Sequence, residues 1–228
     1  MSRSVLVYFD FISPYSYLAL TRLAAFGTRY GVAWEPTPVF YAALLDANDL
    51  VGPAETRVKR RYTLTDVLRA AELAGVPLVG PPAHPFRSLE ALRVATLFAA
   101  EQRALDLAVA LSTACWGEGR DLTDWGVLAE IVGRAGFDPA DLVARASAPA
   151  VKRALQEQTA AAIKAGVFGV PTFELDGELF WGHDRLDHLA ARLDGRLPEL
   201  SVRAAVLEAR PRAADRPTAP ILRDTPAS

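Results

Sequence analysis

The sequence predicts an α/β fold in which a βαβ unit and a ββα unit form one sheet and enclose a long all-helical segment. Three observations carry this. Strand-like runs at Ser4–Phe11 and Val32–Val39 flank a helical pattern. Two further β-like runs, Pro171–Leu175 and Glu178–Trp181, flank Asp176-Gly177 and lead into a short helical pattern. Between the two halves, from Ala42 to about Gly166, helical patterns succeed one another without a convincing strand.

Ser4-Val-Leu-Val-Tyr-Phe-Asp-Phe11 is rich in valine and aromatics and nearly free of breakers, as a buried strand is. Ser13 then offers a capping hydroxyl and Pro14 stands at the first helical position. Leu20, Leu23, Ala24 and Phe26 supply the apolar face, and Gly31 closes the helix. Val32–Val39 looks extended, and its prolines suggest a sheet edge or a strand end. Strand, helix and strand at this spacing make a parallel pair with a right-handed crossover.

The helical segments are predicted at 55–74, 88–102, 104–116, 124–135, 139–146 and 149–165, separated by Gly/Pro punctuation such as Gly75-Val-Pro and Gly117-Glu-Gly. Asp176-Gly177 between two β-like runs is a strong hairpin signal. Asp184 can cap the helix that follows, with Leu186, Leu189 and Leu193 on one face. Beyond Pro198, scattered prolines and arginines read as a mostly loose tail with a weak apolar patch at Val202–Leu207. The order is that of a thioredoxin-like domain with a large inserted all-helical domain, an arrangement that a tandem domain would resemble along the sequence. Residues 4–45 and 166–197 form the first, 46–165 the insertion and 198–228 the tail.

Composition narrows the function classes. The 228 residues are 51% hydrophobic, enough for a proper core. A formal net charge of −2 leaves no electrostatic footprint for nucleic acid or an anionic membrane. The apolar runs fall far short of the roughly 20 residues of a membrane span. The first residues run straight into a strand without a signal-peptide pattern, so a cytoplasmic protein is expected. A single cysteine, Cys115, excludes an internal disulfide and a dithiol redox pair. His84, His183 and His188 are not spaced as a metal site, and no metal is expected.

The chemistry is expected where the first strand delivers Ser13-Pro-Tyr-Ser16 to a helix N-terminus. Free backbone N–H groups and the helix dipole favour negative charge there. The slot that holds Cys-x-x-Cys in thioredoxin-like proteins holds Ser-x-x-Ser here, which forms no disulfide but can hydrogen-bond to a sulfur anion on a ligand. Serine is also a leading cap residue, and taken alone Ser13 reads first as a cap. Val170-Pro171, just before the third strand, is by itself compatible with a strand-initiating proline.

Four ordered segments resemble the signature of the 2-hydroxychromene-2-carboxylate isomerases, relatives of the kappa-class glutathione transferases. They are Phe9–Ala19, Trp116-Gly-Glu-Gly119, Val167-Phe-Gly-Val-Pro-Thr172 and Phe180-Trp-Gly-His-Asp-Arg-Leu186. The resemblance runs from about Val5 to Leu193 and leaves out the tail. It implies a homodimeric enzyme that binds glutathione between its thioredoxin-like and helical parts. Ser13 would hydrogen-bond to the glutathione sulfur, and Val170, before a cis-Pro171, would pair its backbone with the tripeptide. Trp181, Gly182, His183 and Asp184 would hold the γ-glutamyl end. The implied reaction is glutathione-dependent cis–trans isomerisation of an aryl pyruvate, hydroxychromene carboxylate to trans-o-hydroxybenzylidenepyruvate, in aromatic degradation.

The sequence also departs from that pattern. Leu45 stands near the place of a substrate lysine, Ala54-Glu55 near that of an Asn-Arg pair, and His183 where asparagine is common. Arg57, Lys59 and Arg60 are close enough to serve as substrate contacts instead, or form a solvated helix face. A kappa-like transferase and a non-catalytic thiol-peptide binder are the competing readings. A DsbA-type oxidoreductase conflicts with serine at positions 13 and 16. Trp34, Trp116 and Trp125 are expected to be packing residues, Cys115 a buried filler, and His84 a surface residue unless its loop covers the cleft.

Overall fold

A computed structural model describes residues 3–198 and 200–211. The chain divides into two compact units, Met1–Leu197 and Pro198–Ser228. In the first, strands β1 (Arg3–Phe9), β2 (Val32–Pro38), β3 (Thr172–Leu175) and β4 (Glu178–Trp181) form one sheet in the order β2-β1-β3-β4. β1 and β2 are parallel, whereas β3 runs antiparallel to both β1 and β4. This is the predicted βαβ plus ββα sheet of a thioredoxin-like fold. β2 lies on an edge, where Pro36 and Pro38 leave no missing ladder donor on the inside.

Helix α1 (Pro14–Tyr30) begins and ends as its residues dictate. The Ser13 hydroxyl accepts from Ser16 N, Pro14 takes the first helical position, and Gly31 adopts the left-handed conformation at the C-cap with φ 63°. The β3–β4 hairpin turns at Asp176 (φ 53°) and Gly177 (φ 81°), the two positive φ values that a tight two-residue turn needs.

Between the sheet halves lie α2 (Tyr41–Ala47), α3 (Arg57–Ala74), α4 (Leu89–Leu97), α5 (Ala104–Ser112), α6 (Trp125–Arg134), α7 (Leu142–Ala146) and α8 (Pro149–Lys164). α3 to α8 share one core with the sheet, in which Phe9, Phe11, Leu20, Leu92, Leu111, Leu128 and Phe173 are buried, while α2 packs Leu44 into a second cluster with Tyr8, Val39 and Val170. The hairpin leads through a single 3₁₀ turn, His183–Arg185, into α9 (Leu186–Leu193).

Several details differ from the sequence-based expectations. α2 lacks any side-chain cap to announce it. α4 stops at Leu97, five residues before the predicted end. α5 gives way at Thr113 to a π-helical turn ending at Gly117, where the sequence predicts one continuous helix. Asp184 makes no capping hydrogen bond; its carboxylate pairs with Arg185 at 2.9 Å instead. In the second unit, Ser201–Glu208 forms a helix, α10, where a mostly loose segment is expected, with Val202, Val206 and Leu207 exposed. The rest of the predicted tail, 212–228, lies outside the described residues. Among the described residues no helix is long and apolar enough to cross a membrane, and no three His, Cys, Asp or Glu side chains converge as metal ligands.

Candidate active site

The turn between β1 and α1, Asp10–Ser13, is bonded from several directions. Asp10 is fully buried, and its carboxylate accepts from Ile12 N (3.1 Å) and from Tyr41 N at the start of α2 (2.9 Å). The Asp10 carbonyl accepts from Ser13 N at 3.1 Å. Burial pushes the Asp10 carboxyl up from 3.8 to about 6, against bonds from Tyr41, Ser88, Ile12 and Phe11 that favour its ionised form. The Trp116 indole, carried inward by the π turn, donates to Phe11 O at 2.8 Å. Wide π turns recur where a helix must re-aim a side chain at a functional site.

These bonds aim Ser13 across the sheet end. The residue is 9% exposed, and its hydroxyl donates to Val170 O at 3.3 Å while accepting from Ser16 N at 3.2 Å. The Val170–Pro171 peptide is cis, and both residues are buried. Ser13 and Val170, 157 positions apart, therefore meet as their motifs predict. The long bond to Val170 O is one a better acceptor can displace. With the dipole of a 17-residue helix behind it and no acidic residue in the first turn, this place suits an anion.

The hairpin brings the 181–184 segment beside it. Thr172 pairs with Trp181 in the ladder, and Gly182 N donates to Pro171 O at 2.9 Å. Trp181 is 53% exposed and packs edge-on against Phe168, with ring centroids 4.7 Å apart. Gly169 leaves room for that indole, since a Cβ there would stand 2.5 Å from Trp181 Nε1. His183 is half-buried and stacks on Tyr15 with centroids 5.1 Å apart and planes 9° apart; burial holds its imidazole below the usual range, opposed by Asp184. Asp184 is exposed.

Tyr15, Asp66 and His84 were not singled out as site residues by sequence reasoning. The Tyr15 hydroxyl donates to Asp66 Oδ2 at 2.7 Å, tying α1 to α3 on the same side as His183. His84 is half-buried rather than a surface residue, because the 75–88 loop folds over the turn and sets its Nε2 3.1 Å from Ile12 O. The only hint was its place in a breaker-rich loop between α3 and α4. Arg57 and Lys59 stand exposed on the first turn of α3. The basic residue that reaches this loop is Arg60, which donates to His84 O at 3.2 Å. Cys115 is fully buried and Trp34 packs between Phe26 and Phe173, in keeping with packing roles, whereas Trp116, 3% exposed, also holds Phe11 O.

The model of the DsbA-like thioredoxin domain matches residues 4–194. The chain is 35% identical over 193 residues to a 2-hydroxychromene-2-carboxylate isomerase of Pseudomonas putida, covering 83% of this chain and 93% of that protein. A solved structure of a 2-hydroxychromene-2-carboxylate isomerase superposes with a TM-score of 0.77 at 34% identity, over 90% of this chain and 98% of that one. Glutathione S-transferase kappa 1 of Rattus norvegicus is 27% identical, over 82% of this chain and 89% of its own length. The chain belongs to the DsbA-like thioredoxin family and, within it, to the family of the 2-hydroxychromene-2-carboxylate isomerases.

Proposed function

We propose that this protein is a glutathione-dependent cis–trans isomerase of aryl pyruvate substrates, of the hydroxychromene carboxylate to trans-o-hydroxybenzylidenepyruvate type. The observation that carries the proposal is the Ser13 hydroxyl at the N-terminus of α1, facing the Val170 carbonyl ahead of cis-Pro171. The residues present fit the tripeptide. One hydroxyl donor and a helix N-terminus suit its sulfur, and the Val170 backbone suits its peptide groups. The segment Trp181, Gly182, His183 and Asp184 suits a zwitterionic amino acid head. Bound glutathione supplies a thiolate that adds reversibly to a conjugated double bond, so that the bond can rotate before it is restored.

The chain's own residues have narrower tasks. Ser13 gives up its long bond to Val170 O and donates to the sulfur, holding it ionised and aimed. The buried Asp10 and Trp116 keep the turn in register while this exchange takes place. Exposed Trp181 and Phe168 offer an apolar rim beside the site. In this reading residues 46–165 are an insertion that closes the far side of the cleft. Arg57 and Lys59 lie on its first long helix, where they serve at most an incoming carboxylate from the rim.

The test is Ser13→Ala, with glutathione and a benzylidenepyruvate. We expect kcat/KM to fall by about 100-fold, the scale of one lost hydrogen bond to a developing anion, with the fold unchanged by circular dichroism. Equal turnover by the variant and wild type would refute the role of Ser13. The 27% identity to a kappa transferase supports a second reading, in which the thiol adduct is released. Product analysis with chlorodinitrobenzene separates the two, since a stable conjugate formed faster than isomerisation favours the transferase.

A further inference from the structure

The 75–88 loop between α3 and α4 is a strap laid across the mouth of α1. It is tied by the Tyr17 hydroxyl to Pro77 O (2.7 Å) and by Val79 N and Gly80 N to Trp116 O (2.8 and 2.9 Å). Arg60 adds a bond to His84 O at 3.2 Å. The strap also brings the His84 ring onto the turn. Its Nε2 lies 3.1 Å from Ile12 O, and its edge meets the Trp116 indole with centroids 5.3 Å apart. A carbonyl only accepts, so Nε2 carries the hydrogen and Nδ1 is left as a lone pair. Nδ1 is buried and has no partner.

Seen from Ser13, the consequence is a turn in which successive backbone groups are held. Asp10 takes Ile12 N and Ser13 N, Trp116 holds Phe11 O, and His84 holds Ile12 O. Ile12 O belongs to the peptide plane that carries the Ser13 Cα. Releasing it frees that plane to turn, and the hydroxyl turns with it.

We propose that His84 is a positioning residue for Ser13: as the neutral Nε2–H tautomer it anchors the Ile12 carbonyl and so fixes the direction of the Ser13 hydroxyl. The clause about Ser13 rests on the function proposed above, whereas the bond itself does not. Protonation of His84 puts a second N–H at Nδ1, where nothing accepts it, and a buried unpaired donor is disfavoured. Burial accordingly holds the imidazole below its ordinary value; Arg60 acts in the same direction and the Ile12 bond opposes. The other charged group in contact with the turn is Asp10, whose carboxylate is directed to Ile12 N and Tyr41 N. From the π turn the ring meets the neutral Trp116, next to Cys115, whose thiol burial keeps protonated. As pH falls through the lowered value the anchor is lost, so His84 adds an acid limb to the one that Asp10, titrating near 6, gives to the same turn.

The experiment has two arms, both on the full chain. In the first, long-range ¹⁵N–¹H correlation spectra are recorded across pH. The chain has 3 histidines, and His84→Gln identifies the signals of residue 84 by their loss. We expect the Nε2–H pattern, titrating below about 6.5, the usual imidazole value. In the second, rates with glutathione and a benzylidenepyruvate are compared for wild type, His84→Ala and His84→Gln. Glutamine keeps an N–H donor but cannot titrate, so it should retain most of kcat and lose the His84 limb while keeping that of Asp10. Alanine should lose about 10- to 100-fold, the scale of a misaimed reacting group, chiefly in kcat. The proposal is overturned by an Nδ1–H tautomer, by ordinary titration, by full kcat in His84→Ala, or by equal loss in both variants. If His84→Ala fails to fold, the spectra and His84→Gln decide. If wild type shows no glutathione-dependent turnover, the proposed function fails while the spectra still judge the His84 anchor.

Discussion

Replacing Asp10 with asparagine should remove a specific pH dependence of folding stability. Asp10 is 1% exposed, and its carboxyl is raised from 3.8 to about 6 chiefly by burial. A carboxyl raised in the folded state binds more protons there than in the unfolded chain. Its contribution is therefore complete below about pH 4 and is lost as pH rises through about 6. The displacement is equivalent to about 3 kcal/mol. A protonated carboxyl and an amide each present one acceptor oxygen and one donor, so the variant resembles the acid form of wild type at every pH. Between pH 4 and pH 7.5 the stability gap should widen by about 3 kcal/mol in the variant's favour. For a chain of this size that is roughly 6–12 °C in Tm. Urea unfolding at both pH values reads it directly. An identical difference at pH 4 and pH 7.5 would show that Asp10 does not ionise in this window. The same variant should lose turnover, because its amide N–H opposes either Ile12 N or Tyr41 N, two of the donors that the carboxylate accepts. Stability gained at the expense of the site is the usual exchange where a buried charge serves function.

Two further outcomes follow from local geometry. Gly169→Ala sets a Cβ 2.5 Å from Trp181 Nε1, and the half-exposed indole must swing away from Phe168. Thermal unfolding should show a loss of about 1–3 kcal/mol, and calorimetry weaker glutathione binding; an unchanged value in both would mean that the indole is not confined. Cys115 is fully buried and its thiol is raised by burial, so Ellman's reagent should find no reactive thiol in the native protein and one after unfolding. Rapid labelling of the native chain would contradict that packing.

Local signals made much of the framework legible. Ser13, Pro14 and Gly31 announce α1, and Asp176-Gly177 announces the hairpin, because caps and positive φ values depend on residues a few positions apart. The motif Phe9–Ala19 contains Asp10 and Tyr15, yet nothing in their neighbours says that one is wholly buried and the other bonded to Asp66. α2 escaped notice because its start has no capping side chain. The π turn escaped because its residues continue the apolar pattern of α5. The patch at Val202–Leu207 was visible, but a short polar-flanked stretch does not declare itself a helix until its backbone is seen to close.

The sequence by itself determined the order of the elements, the serine at the mouth of α1 and the proline that opens β3. These are written in neighbouring residues, through φ limits, capping chemistry and apolar period. Tertiary structure alone decided which groups surround that serine. Ile12 meets His84 across 72 positions, Phe11 meets Trp116 across 105 and Ser13 meets Val170 across 157. Such pairs form because a dense core leaves each buried polar group few partners. That choice depends on how all the helices pack together, which no stretch of neighbouring residues specifies.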